Sequence, residues 1–365
     1  MGGYHSFAFL FLFSNVTLAS VQWNLSSRLD SAAADEILAS RFLAQSEVTV
    51  KFQNLNFFID GFLEFDAASE DQKEWRRFEN GGFLREAYGE FTSDIFFLKV
   101  GRQSARWSES WILPSLDVWT GRRFERLFWE PLSYQLSHSS GIVGSLVQPK
   151  WSLDVALMWD VQRDSFPQPL PRYLEPLESA GANAGARLKF DLIGLQVALI
   201  GAQALDQQTQ GVAASYAFEK VVPKFEAGTT YNNRDDDLIL NRSLNFGSFG
   251  LDIFWNDWTL TPQITSFENE DPYRVMDPQS LYYTALQYDS RRHQVLIQGF
   301  YNDVTEDSFV SGEYTYKFAK IWSATVFAQN YYGRTASLTS IVYDQTGGTF
   351  VGFRLQADQS LLTRN

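Results

Sequence analysis

Residues 183–202 read NAGARLKFDL-IG-LQVALIGA. In the first half Ala184, Ala186, Leu188, Phe190 and Leu192 alternate with Gly185, Arg187, Lys189 and Asp191. After Ile193-Gly194, Leu195, Val197, Leu199 and Gly201 alternate with Gln196, Ala198, Ile200 and Ala202. Successive side chains of a strand point to opposite faces, so one parity here is apolar and the other carries every charge. Stretches of about ten residues with this pattern, joined by a tight turn, suit a wall with lipid on one side and water on the other.

The pattern recurs. Leu55, Phe57, Ile59, Gly61, Leu63 and Phe65 oppose Asn56, Asp60, Glu64 and Asp66. Trp151, Leu153, Val155, Leu157 and Trp159 oppose Ser152, Asp154 and Asp160, with a Trp at each end of the stripe, as two interfacial aromatic girdles require. Val310, Gly312, Tyr314, Tyr316 and Phe318 oppose Ser311, Glu313, Thr315 and Lys317. Strands of a soluble sandwich run about five or six residues. Stripes of this length along the whole chain point instead to an all-β transmembrane antiparallel barrel of about 16 strands, within a range of 14–18. Tight links such as Ser93-Asp94, Ile193-Gly194 and Ala319-Lys320 suit one rim, and the long segments 67–82, 104–132, 161–182, 267–279 and 302–307 the other.

Composition agrees. Of 365 residues 16% are aromatic, and Trp and Tyr favour membrane interfaces. No run of eighteen apolar residues occurs, which excludes a spanning helix. A net charge of −13 argues against a nucleic-acid partner. Phe7–Phe13 followed by small residues near Ala19 and Ser20 resembles a secretory signal, so residues 1–20 are expected to be a signal peptide and the mature chain to be exported to a bacterial outer membrane. Residues 21–46 read as an N-terminal helical segment, because Leu29, Ala33, Ile37, Leu38 and Phe42 form a stripe at helical spacing behind Ser31. The barrel is then expected over 47–365.

Chemistry concentrates in the long segment 104–132. Arg102 precedes it, and Arg106, Glu109, Asp117, Arg122, Arg123, Glu125 and Arg126 lie within it, interleaved with Trp107, Trp111, Trp119, Phe124, Phe128 and Trp129. A segment folded into the lumen carries such charges to pair with the wall and leave a narrow polar aperture. These eight charged residues are the candidate pore constriction, and six large aromatics are unusual in a loop surrounded by water. The expected function is passive diffusion of small polar or charged solutes, with a structural, lipid-organising or adhesive barrel as the alternative.

Leu84-Arg85-Glu86-Ala87-Tyr88, Val100-Gly101-Arg102-Gln103, Trp107 and Asp117 resemble a stretch of porin-like Gram-negative outer-membrane barrels, the alginate-export type and its relatives. The resemblance spans residues 83–120. It implies a channel, names no substrate, and implies a homo-oligomer, with a trimer favoured. The chain departs from that pattern at its end, Leu362-Thr-Arg-Asn365, where such barrels close on an aromatic residue. Phe353 or Leu355 is the expected end of the last strand.

A catalytic reading rests on His138 and Ser140, two residues apart as in outer-membrane lipases, with Ser152 or Asp154 as a conceivable orienting group. The wider lipase motif is not visible around Ser140, and the chain is read as no enzyme. Asp235-Asp236-Asp237 lacks the spaced ligands of a Ca²⁺ loop. No Gly-rich phosphate loop, Cys cluster or His pair at ligand spacing occurs, so neither metal nor cofactor is expected.

Overall fold

The structure is a computed structural model. It describes residues 20–34, 37–68, 81–108, 116, 117, 119, 138–159, 161, 183–204, 207–232, 243–269, 279–304, 306–333 and 348–363. Eighteen strands account for nearly all of them. In chain order they are β1 (Ser20–Ala34), β2 (Ile37–Phe52), β3 (Leu55–Ala68), β4 (Gly81–Thr92), β5 (Phe96–Gln103) and β6 (Ser139–Gln148). Next come β7 (Trp151–Met158), β8 (Asn183–Leu192), β9 (Leu195–Ala204), β10 (Gln207–Tyr216), β11 (Val221–Asn232) and β12 (Ser243–Trp255). The last are β13 (Trp258–Asn269), β14 (Gln279–Asp289), β15 (His293–Asn302), β16 (Ser308–Lys317), β17 (Trp322–Tyr332) and β18 (Thr349–Thr363).

Each strand pairs antiparallel with its sequence neighbours, and β1 pairs with β18 from Val21↔Thr363 to Ala33↔Val351. The sheet is therefore a closed up-and-down barrel without an edge, which leaves no unpaired ladder groups to solvent or lipid. An even strand count puts both ends of the wall at the rim of short turns, and the long connections at the opposite rim.

Eighteen strands exceed the expected sixteen, largely because residues 21–46 are not helical. They form most of the β1–β2 hairpin, registered from Ser20↔Lys51 to Ala34↔Ile37. The stripe that suggested a helix has a spacing of four, which puts residues on one face of a helix and equally on one face of a strand. The residues between decide it. Trp23, Leu25 and Leu29 face outward, while Arg28 and Asp30 are buried inside. The closing strand runs to Thr363, beyond the expected Phe353 or Leu355. The expected signal segment lies outside the described residues, apart from Ser20.

The outward parity is apolar and exposed across the ring, including Val155, Leu157, Leu199, Phe249, Ile297, Val310, Val326 and Phe353. Trp23, Trp151, Trp255 and Trp322 stand on that face near the short-turn rim, and Trp159, Tyr231, Tyr301 and Tyr332 near the other. The inward parity is polar over much of the wall. It includes Asp30, Gln45, Asp60, Asp154, Glu226, Gln263, Thr265, Ser311 and Arg354, all buried. This is the reverse of a soluble protein, whose apolar face is the hidden one.

Candidate functional site

The site starts at an irregularity in β4. The β3–β4 register shifts between Asp60↔Glu86 and Gly61↔Leu84, leaving Arg85 as an extra residue. Such a bulge re-aims side chains. Here Arg85 and Glu86, adjacent in sequence, both reach interior groups. Arg85 Nη2 lies 2.7 Å from Asp60 Oδ2, and Gln45 Nε2 donates to Asp60 Oδ1 at 2.9 Å. Glu86 Oε1 accepts from the Ser104 amide at 3.3 Å, where the chain leaves β5. The neighbouring Gly101 has φ +133°, and a Cβ there would stand 2.2 Å from the Ala87 carbonyl oxygen. Only glycine permits that approach.

From Ser104 the chain crosses the interior. Ser108 Oγ donates to Glu226 Oε2 on β11 at 2.6 Å, seven strands round the ring from Glu86. Strands lie about 4.8 Å apart, so following the wall would cover about 34 Å. The four residues from Ser104 to Ser108 reach about 14 Å at most. The segment therefore cuts across rather than following the wall.

Asp117 fastens this crossing from within. Its Oδ1 accepts from the amides of Trp107 and Ser108, the latter at 2.7 Å, and Arg106 Nε lies 3.5 Å from Oδ2. Burial pushes the Asp117 carboxyl above the usual range, while the two amides and Arg106 pull it down. Trp107 and Trp119 meet edge to face with centroids 4.5 Å apart. Trp119 Nε1 donates to the Gln203 carbonyl at 3.2 Å, and Ser139 Oγ to the Trp119 carbonyl at 2.7 Å.

Beneath these rings the inward parity changes character. Ala156 and Met158 on β7, Ile200, Ala202 and Ala204 on β9, Ala213 on β10 and Phe246 on β12 join Ala105, Trp107, Leu116 and Trp119 in one buried cluster. Small residues make the wall flat enough to receive the indoles. A Cβ on Gly185 would lie 2.7 Å from Trp119 Cη2, so the ring occupies the place of a side chain. Arg187 closes the edge, with Nε 2.8 Å from Asp154 Oδ2 and its guanidinium 5.4 Å from the Trp107 ring centroid.

The opposite wall keeps its charge. Asp30 is fully buried between Arg28 Nη2 at 2.8 Å and Arg354 Nε at 3.0 Å, and Arg354 Nη1 is 3.7 Å from Glu313. This network straddles the β1–β18 seam. Glu47 accepts from Asn24, and Glu90 from Asn56 and Thr92.

Of the sequence candidates, Arg106 and Asp117 stand together on the crossing segment. Arg102 shares the outward parity of Val100 and donates to the Leu84 carbonyl at 3.1 Å. Glu109, Arg122, Arg123, Glu125 and Arg126 lie outside the described residues, as does Asp235-Asp236-Asp237. Sequence reasoning missed the bulge pair, the Arg28–Asp30–Arg354 network and Glu226. The one available signal was the Ala-rich inward parity of β9.

His138 lies just before β6 with Nε2 3.4 Å from Glu86 Oε1. Burial, and then the cations Arg85, Arg102 and Lys99, lower its pKa to about 3. A base that weak is ill-suited to activating Ser140 near neutral pH. The neutral ring also sets a pH response. The unfolded chain takes up this proton near 6.5, so its stability contribution is complete above that pH and falls as pH drops toward about 3. His138→Gln should flatten the melting-temperature profile between about pH 6.5 and 4, where one proton contributes at most about 1.4 kcal/mol per pH unit. Parallel wild-type and variant profiles would refute the assignment.

No family model matches the chain, and no curated protein matches it, so the alginate-export resemblance has no family match behind it. Solved structures do match in fold. OccK3 (OpdO) of Pseudomonas aeruginosa superposes with a TM-score of 0.63 at 11% identity, covering 98% of this chain and 100% of that one. OccK5 (OpdH) of the same organism gives 0.60 at 9%, covering 94% and 98%. OprD, also from P. aeruginosa, gives 0.57 at 11%, covering 96% and 98%.

Proposed function

We propose that this chain is an outer-membrane channel through which small polar or charged solutes diffuse passively, its lumen narrowed by the 105–131 segment. The observation that carries the reading is the crossing from Glu86 to Glu226, which sets a short segment across the inside of a closed wall. An apolar outer face between two aromatic rims supports residence in a bilayer. The fold likeness to the Occ and OprD barrels, which are outer-membrane channels, supports transport over chemistry.

The aperture in this reading lies between the crossing segment and the wall from β16 round to β4. Arg106, about half exposed, faces it from one side. Arg85 and Glu313, partly exposed, face it from the other, backed by the buried Arg28, Asp30, Asp60 and Arg354. Glu109, Asp117, Arg122, Arg123, Glu125 and Arg126 remain the proposed supporting charges of the constriction, whereas Arg102, on the outward parity, is not among them. The ion-paired interior cations each meet a carboxylate, whereas Glu47, Glu86 and Glu90 take hydrogen bonds from uncharged groups and share one nearby cation, Lys99 opposite Glu90. The surplus is acidic, so the channel favours cations over anions.

Liposomes containing the purified protein should swell in small neutral sugars and in lysine faster than in glutamate. Vesicles that do not swell in any of them would remove the transport reading and favour the structural or adhesive alternative. The wall closes within one chain, so passage needs no second copy. A trimer, expected from porin-like barrels, is a separate proposal read from the native mass.

A further inference from the structure

The short-turn rim is unevenly charged. Three of its turns carry an acid, Asp94, Asp257 and Glu219 beside Lys220, and the β6–β7 turn carries Lys150 alone. Two adjoining turns together hold three cations. The β14–β15 turn carries Arg291 and Arg292, and the β16–β17 turn carries Lys320, all three exposed. The turns are neighbours because β15 pairs with β16, and the Lys317 amide donates to the Arg292 carbonyl at 2.8 Å. None of the three forms an ion pair among the described residues. Of the acids beside these turns, Asp289, the last residue of β14, accepts from Gln294 on the inward parity, and Asp358 on β18, next to Ile321, accepts from Gln356.

Directly above these cations the outer face is aromatic. His293 Nδ1 and the Tyr314 hydroxyl are 2.8 Å apart, and the His293 ring lies 5.2 Å from that of Tyr316. Phe318, Ile321 and Trp322 are exposed beside them. An apolar and aromatic surface ending in a cluster of cations has the polarity of an anionic lipid, acyl chains against the rings and phosphate at the guanidinium groups.

We propose that Arg291, Arg292 and Lys320, with the His293–Tyr314–Tyr316 surface above them, form a binding site for the phosphate headgroup of an anionic phospholipid in the inner leaflet, the periplasmic side on which outer-membrane barrels carry their short turns. The site rests on the membrane-spanning reading and adds a ligand to its outer face. Arg supplies bidentate donors to phosphate, and Lys320 a point charge from the adjoining turn.

The test uses the full chain refolded in detergent, titrated with phosphatidylglycerol or with phosphatidylcholine of the same acyl chains, and bound lipid counted by native mass spectrometry. Wild type should retain phosphatidylglycerol several-fold better than phosphatidylcholine. R291Q/R292Q/K320Q should lose that preference, whereas Lys150→Gln, on a different turn, should keep it. The single change R292Q should weaken it, which gives a readout if the triple variant fails to fold by unheated gel mobility. Equal retention of both lipids by wild type, or an unchanged preference in the folded triple variant, overturns the site. Displacement of phosphatidylglycerol by millimolar inorganic phosphate does so too, because the site would then hold a free anion. A protein that inserts and conducts without lipid preference defeats this site alone. One that does not enter vesicles defeats the membrane reading.

Discussion

Trp119→Ala is expected to raise single-channel conductance several-fold while lowering stability by about 3–5 kcal/mol, the usual cost of truncating a buried Trp. The ring is 1% exposed, meets Trp107 edge to face, and donates to the Gln203 carbonyl. Without it the crossing segment loses its largest apolar contact with the Ala-rich wall. Asp117 and Ser108 would still hold the first half of the crossing. The segment should thus loosen from its far side, and the aperture should widen rather than close. Filling the other side of the contact makes the same point, since Gly185→Leu competes for the space of the indole. Unchanged conductance in a folded Trp119→Ala barrel would mean that the segment does not set the aperture.

Asp30→Ala should have the largest effect on the wall. The carboxylate is fully buried and shared by Arg28 and Arg354 across the seam. Removing it leaves two buried guanidinium groups without their common anion, a change that costs about 3–5 kcal/mol in comparable buried pairs. Denaturant unfolding of the barrel in vesicles should show the loss. The control is decisive, because a buried ion cluster need not be stabilising against an apolar replacement. Replacing Arg28 and Arg354 by Met alongside Asp30→Ala should therefore restore much of the stability. A single substitution as mild as the triple one would show that the network does not hold the seam.

The barrel was legible wherever one strand face is apolar and the other polar. Residues 183–192 and 151–159 followed the expected parity, with Val155 and Leu157 outward and Asp154 buried inside. Two regions hid it for different reasons. In β1 and β2 the apolar residues fall four apart, a spacing that helix and strand share, so the polar residues Arg28 and Asp30 carried the information. In β6, Ile142 faces outward while Val143 packs against the interior cluster, so both parities are apolar and the alternation vanishes.

The site was less legible because its contacts are not local. Ser108 and Glu226 are 118 positions apart and Trp119 and Gln203 are 84. Nothing near either residue specifies the other. What the sequence did hold was the inward run Ala198, Ile200, Ala202 and Ala204. An inward face that is apolar cannot face water cheaply, so it announces a cover. The Trp-rich segment 105–131 is the piece of chain with rings to supply one.

The central claim is that water-filled passage survives between the crossing segment and the charged wall. Purified protein in a planar bilayer tests it most directly. The account predicts discrete, uniform current steps, with a reversal potential under a KCl gradient that favours cations. A barrel that is folded by its heat-modifiable gel mobility, inserts, and passes no current would contradict it.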